Sequence, residues 1–353
     1  MLAAGLCMAL LPTACTGDFL SAGGSGDSVP PGEEGLFTFR LSTGIISSVT
    51  TKATDENTLH DIWAVQLNTA GTAALMPPVR TEVNDGKIRV LLKAEASKLY
   101  FFANTNDDNL FDPQAALSTF TTASVEAVRL TCDRDWGAAY PYMPMTGTWE
   151  GTPTVPAIAG TVELTRAFAI LRIQVKRIQP AAASFGFTSL QLKNVPDVLC
   201  LCPTASGTYP AATGTYINYP VNTNTSPMYS YPVYTFYVPE NCRGTGSERF
   251  ETEKNGTSLG AAKDYATCYE IKGEYGGVRK LYRFYLGENN TNDYNIKRNH
   301  IYTVTITLAG EYELDWRIES DPIPASVSSG TSVSWGSGGS QNLEGNDIYW
   351  SWE

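Results

Sequence analysis

The run Ile301–Leu308 alternates without a break: Tyr302, Val304, Ile306 and Leu308 fall on one side, Thr303, Thr305 and Thr307 on the other. A period of two sends successive side chains to opposite faces, so this stretch is a strand with one apolar face. A second strand-like run from Leu281 precedes it, across a polar segment holding Gly287, Asn289, Asn290, Asn292 and Asp293. The expectation is two sheet strands joined by a solvated connection, with no reactive constellation between them. A chain organised around such a stretch is built to make sheet.

Composition agrees. Only 17% of residues are charged, and Thr, Ser, Gly, Tyr and Val are abundant, as in all-β extracellular proteins. A length of 353 residues predicts two domains. The net charge of −11 argues against nucleic acid as a partner, since no Lys/Arg cluster in the sequence offsets phosphate repulsion.

Met1–Ala14 is apolar but too short to span a bilayer. It has the apolar core of a secretion signal without basic residues before it, which places the expected start of translation upstream. Leu11-Pro12-Thr13-Ala14-Cys15 resembles a bacterial lipobox, with Pro12 where Leu is commoner. An ordinary signal peptide that contains a cysteine is the other reading. On the lipobox reading residues 1–15 are a lipoprotein signal peptide and 16–35, rich in Gly, Ser, Asp and Pro, a flexible tether. Acyl chains on Cys15 would hold the chain at a membrane surface without a spanning helix.

Several further segments read as strands: Leu36–Leu41, with Phe37, Phe39 and Leu41 on one face, then Ile62–Leu67, Lys87–Leu92 and Lys98–Asn104. Ser42–Asn57 is a mostly polar stretch that holds Lys52-Ala53 among Thr and Ser, so Lys52 is expected to be exposed and open to proteolysis. Pro113–Val128 is the one helix expected. Tyr140–Pro156, rich in Pro, Gly and Thr, looks like a domain edge. The expected division is an N-terminal strand-built domain over 36–158 and a C-terminal one over 159–353. In the latter, Ala167–Ile173, Phe187–Val195 and Tyr234–Val238 are strands, and Glu311–Glu319 alternates acidic and apolar residues. Beyond it lie Ser332–Trp335 and Ile348–Trp352. A terminal segment with Ile348, Trp350 and Trp352 on one side is either docked internally or waiting for a partner.

Little chemistry is legible. His60 and His300 are the only histidines, and no nucleophile elbow accompanies them. Asn104–Asp112 is oxygen-rich but lacks the glycine and closing glutamate of a calcium loop. Gly244–Ser247 lacks the setting of a phosphate loop. Cys132, Cys200, Cys202, Cys242 and Cys268 lack zinc or redox spacing; buried thiols or one or two disulfides are the readings open. The Tyr-rich segment Tyr209–Tyr237 is either a partly buried loop or a surface that stacks on glycans. No metal, cofactor or catalytic residue is expected.

Several motifs, in order, resemble the Bacteroidetes fimbrillin family, the subunits of type V pili. They are Ala14-Cys15, the strand Leu36–Leu41, Lys52-Ala53, Phe102-Ala103-Asn104-Thr105 and Thr165-Arg166-Ala167-Phe168-Ala169. Phe236–Asn241 and Arg298-Asn299-His300-Ile301-Tyr302 complete the set. The resemblance implies two transthyretin-like β-sandwich domains in tandem. It also implies export as an outer-membrane lipoprotein, then cleavage after an Arg or Lys by a surface protease. That cut maps onto Lys52, before Ala53, with Arg40 as the fallback. It would release the first strand as a groove plug (Phe37, Phe39, Leu41). A neighbouring subunit's C-terminal donor strand, carrying Ile348, Trp350 and Trp352 or else Val333 and Trp335, would replace it. The partners implied are other pilin subunits in an extracellular fimbrium, with a host protein or glycan as adhesion ligand. A surface lipoprotein that binds glycans or host ligands through exposed aromatics is the alternative.

Overall fold

The computed structural model describes residues 28–43, 58–132, 142–155, 158–177, 185–203, 215–223, 230, 232–275, 278–308, 318–321 and 331–338. The side chains of the last two segments are outside the description. The first half supplies β1 (Glu34–Thr43), β2 (Asp61–Asn68), β3 (Val79–Glu82), β4 (Lys87–Lys93) and β5 (Ser97–Ala103). It continues with β6 (Arg129–Thr131), β7 (Met145–Gly151) and β8 (Gly160–Arg166). Seven of these form one sheet in the order β3-β2-β5-β7-β8-β1-β4. β3 and β4 are joined through the turn Asn84–Lys87, where Asp85 and Gly86 have φ of 50° and 65°. That turn brings the two ends of the sheet order together. The sheet closes over a core that includes Phe37, Phe39, Ile62, Ile88, Val90, Phe101, Met145 and Val162.

The second half begins with β9 (Phe168–Arg177) and β10 (Phe185–Lys193), followed by β11 (Val195–Pro196), β12 (Val198–Cys200) and β13 (Tyr216–Ile217). β14 (Tyr234–Pro239), β15 (Asn241–Thr245), β16 (Cys268–Tyr275), β17 (Val278–Tyr285) and β18 (Asp293–Ile296) come next. β19 (Ile301–Leu308), β20 (Ile318–Asp321) and β21 (Thr331–Gly338) complete the set. Two four-stranded sheets, β10-β16-β17-β20 and β14-β9-β19-β21, pack face to face. The molecule is all-β, two sandwiches in tandem.

The alternating run behaves as its period dictates. Tyr302, Val304, Ile306 and Leu308 are all buried in the second core. Its partner run, however, lies in the opposite sheet, and the segment between them is not simply solvated. Leu286, Asp293, Tyr294 and Ile296 are buried there, and β18 pairs with β15.

Three other expectations change. The helix over 113–128 reduces to a 3-10 turn, Leu117–Thr119, and one short helix, α1 (Thr122–Glu126). α1 is capped by Thr121, whose hydroxyl accepts from the Ser124 amide. Tyr140–Pro156 is no domain edge: it contains β7, paired with β5 and β8. Gly147 is required there, because a Cβ would meet the Glu163 carbonyl oxygen at 2.4 Å. Sheet membership also places β8 with the first half, so on that criterion the halves meet at Ala167 rather than at 158/159.

The halves share a third core. Trp63, Val65, Phe102 and Phe111 from the first pack with Phe168, Ile170, Leu199, Leu201 and Tyr237 from the second. β6 and β12 pair across the same seam.

Candidate functional site

β1 occupies a slot between two strands distant in sequence. It runs antiparallel to β4, from Glu34 opposite Lys93 to Arg40 opposite Lys87, and parallel to β8, from Phe39 beside Gly160 to Thr43 beside Leu164. Its inward row is completely covered at Phe37 and Phe39, and Leu41 is 8% exposed. The Phe39 ring lies 5.4 Å from Phe101 and 5.2 Å, edge-on, from Trp149. Full burial of such side chains contributes roughly 1.5–3 kcal/mol each, so this row holds β1 in place. Val29 adds a further apolar contact, folded over Gly35.

The outward row is different in kind. Leu36 is 48% and Leu91 38% exposed, facing each other across the β1–β4 pair. Arg40, Lys87, Arg89 and Lys93 line the same outer face. Among the described residues none of these four cations has a salt-bridge partner. Arg40 stands directly opposite Lys87, a like-charge pairing that weakens the β1–β4 contact. This basic stripe is not legible as a cluster in the sequence because one of its four members, Arg40, arrives on β1; the alternation Lys87-Ile88-Arg89 is its only signal.

The remaining sequence-predicted positions divide in two groups. Cys15, Lys52, Ala53, Ile348, Trp350 and Trp352 lie outside the described residues. Arg40, the fallback processing residue, sits within β1, exposed but paired on both sides. Val333 and Trp335 belong to β21, which pairs with β19 of the same chain, Val333 opposite Ile306 and Trp335 opposite Val304.

Two of the family-like motifs meet at the seam between the sandwiches, through Arg166 and Asn299, while Asn104 and Asn241 bond within their own halves. Arg166, 1% exposed, donates from Nη1 to Asn299 Oδ1 at 3.0 Å across 133 residues of sequence. Arg298 donates to Glu240 at 3.1 Å and to the Leu201 carbonyl at 2.9 Å. Asn241 is fully buried and donates to the Tyr265 carbonyl and the Thr267 hydroxyl. Asn104, at φ 55°, accepts from the His60 amide and donates to the Thr58 and Met143 carbonyls. These polar groups satisfy buried backbone and one another; their work is to hold the fold.

The chemical candidates resolve the same way. His60 stacks on Tyr142 at 4.9 Å, and His300 Nδ1 lies 2.7 Å from the Arg298 carbonyl. Asp107 and Asp112 accept from backbone amides two residues on, and Asp108 pairs with Arg80. Among the described residues no group of His, Cys, Asp and Glu is arranged to hold a metal ion. Cys132, Cys200, Cys202, Cys242 and Cys268 are buried as thiols, and burial pushes those of Cys202, Cys242 and Cys268 up to about 12. The described tyrosines of the 209–237 segment do not form an exposed platform. Tyr219 is buried and donates to the Tyr237 carbonyl, Tyr237 is buried too, and Tyr216 lies against Arg243 and Tyr265. Among the described residues no helix is long and apolar enough to cross a membrane.

Comparison with known proteins places this architecture. A family described as a domain of unknown function (DUF4906) matches residues 236–306. No curated protein matches the chain. Among solved structures, a fimbrilin from Porphyromonas gingivalis W83 superposes with a TM-score of 0.52 at 13% identity, over 81% of this chain and 95% of that one. A candidate cell adhesion protein from Parabacteroides distasonis ATCC 8503 superposes with a TM-score of 0.54 at 14% identity, over 86% and 95%. At such identities the likeness is one of fold, and the fold of this chain is fimbrillin-like.

Proposed function

We propose that this protein is a structural or tip subunit of a cell-surface fimbria, assembled by proteolytic removal of β1 and insertion of a neighbouring subunit's C-terminal strand. The observation that carries the reading is how β1 is held. It is buried on one face, sits between strands that come later in the chain, and returns to the body only through the link 44–60. One cut in that link, at Lys52 on this reading, leaves β1 attached by non-covalent contacts alone and frees it to leave. The vacated slot then exposes backbone donors and acceptors on β4 and β8 together with an apolar row. A strand can be added to such a slot, backbone bonds giving affinity and alternate side chains register. Before cleavage the chain is anchored to the outer membrane through acylated Cys15; afterwards it joins an extracellular fibre of like subunits. Ile348, Trp350 and Trp352 form the donor row, since β21 already pairs within its own chain.

The test uses the precursor, a trypsin-like protease and a fluorescent peptide of residues 344–353. Peptide incorporation only after cleavage, a new terminus at Ala53 and SDS-resistant ladders are the expected results. Ladders that persist after deletion of everything beyond Gly345 would remove this segment as the donor.

A further inference from the structure

Strand exchange at the β1 slot, as proposed above, leaves the register of the incoming strand open. Resting on that reading, we infer that the donor segment enters the slot two residues further along than a one-for-one replacement of the plug. Ile348 then takes the place of Gly35, Trp350 that of Phe37 and Trp352 that of Phe39.

The outer face of β4 sets the register. Lys93, Leu91, Arg89 and Lys87 stand opposite Glu34, Leu36, Thr38 and Arg40 of β1. In the inferred register those four positions receive Asp347, Tyr349, Ser351 and Glu353. Acid again faces Lys93, an apolar group faces Leu91 and a hydroxyl faces Arg89. Only the last place changes in kind: Glu353 replaces Arg40 opposite Lys87. A like-charge pair becomes an opposite-charge pair, so the slot prefers the incoming strand at the one position where the plug fits badly.

The inner face accommodates the same register. Gly35 has no room for a side chain while Val29 is present, since a Cβ there would meet Val29 Cγ2 at 2.5 Å. Val29 precedes the cut and leaves with β1, which opens that space for Ile348. Leu41, at the rim of the core, also leaves, giving the tryptophan at the Phe39 position room to extend.

The neighbouring registers are worse. Placing Ile348, Trp350 and Trp352 directly at Phe37, Phe39 and Leu41 puts Asp347 opposite exposed Leu91 and Ser351 opposite Lys87. It also puts Glu353 at Ser42, which lies beside Glu163 of β8. A further shift the same way, with Ile348 at Phe39, buries Asn346 where Phe37 was, an uncompensated polar group in an apolar core.

Paired cysteines read the register directly in cleaved, assembling protein, because directly opposed residues of an antiparallel pair are close enough to bridge. Chains carrying Lys87→Cys with Glu353→Cys should give covalent oligomers on mild oxidation. Lys87→Cys with Ser351→Cys should not. Oligomers that form but crosslink only through the second pair, or through neither, overturn the register while leaving strand exchange intact. Failure to oligomerise in every combination, and in the unmutated cleaved protein, removes the strand-exchange reading itself. As a second measurement, Lys87→Glu should make incorporation of the 344–353 peptide about fivefold slower than that of a peptide carrying Glu353→Lys, the effect of one cross-strand charge pair, whatever the same change does to release of the plug. Equal slowing of both peptides overturns the inferred pairing.

Discussion

The first strands of the two sandwiches occupy the same kind of slot and differ in how they are held. β1 lies between an antiparallel neighbour, β4, and a parallel one, β8. β9 lies between antiparallel β14 and parallel β19. β9, however, is buried on both sides over its first four residues, 168–171. Ala169, Leu171, Ile173 and Val175 enter the second core, while Phe168 and Ile170 enter the shared core at the seam. β1 buries one row only and turns Leu36, Thr38 and Arg40 outward. β9 also comes after β8 with the single residue Ala167 between them, whereas β1 is tied to β2 by a long polar link. Equal topology therefore carries unequal consequences: one strand is an integral wall, the other a lodger.

The sharpest way to break this comparison is to truncate both inward rows. Phe39→Ala should destabilise the precursor by about 3–5 kcal/mol, measured by denaturant melts, yet have no effect once a donor strand has replaced β1. A cost that survives exchange would mean β1 never left. Removing a seam group tests the other side: Glu240→Ala leaves the Arg298 guanidinium buried without its carboxylate and should cost about 3 kcal/mol in precursor and assembled forms alike. Leu171→Ala in β9 should likewise cost about 2–5 kcal/mol in both forms. Arg40→Glu, which pairs with Lys87, should stabilise the precursor by about 0.2–1 kcal/mol and slow strand exchange correspondingly. The smallest expected signal is chemical. Burial pushes the thiols of Cys242 and Cys268 up to about 12, so at pH 8 both stay protonated as well as covered. Neither should react with a thiol reagent before or after cleavage at Lys52. Labelling that appears on cleavage would show that loss of β1 opens the second sandwich as well.

The seam explains why the opening should stay local. Its polar ties link Arg166 to Asn299 and Arg298 to Glu240 and Leu201, and none of them touches β1. The first core loses Phe37, Phe39 and Leu41 when β1 departs; the shared core and the second core lose nothing.

Much of this was legible in the chain. Period-two alternation marked β1, β4 and β19, and it also displayed the apolar row of Phe37, Phe39 and Leu41. Nearly continuous apolar runs at Ile62–Leu67 and Lys98–Asn104 marked two further strands. β7 was hidden because its Thr, Gly and Trp residues give a weak pattern, and the need for Gly147 lies in contact with Glu163 on the next strand. The connection before β19 read as solvated because Asn and Asp residues surround Tyr294, whose ring is nevertheless wholly buried.

Local periodicity depends on neighbours in the chain, and so the sequence alone determined that this protein is made of strands and which face of each seeks a core. Pairing depends on neighbours in space. Only the tertiary structure decided that β1 sits between β4 and β8, that Arg40 faces Lys87, and that side chains 133 residues apart close the seam. Backbone hydrogen bonding between strands carries no side-chain label, so partner, polarity and register are settled by the packing of the whole molecule.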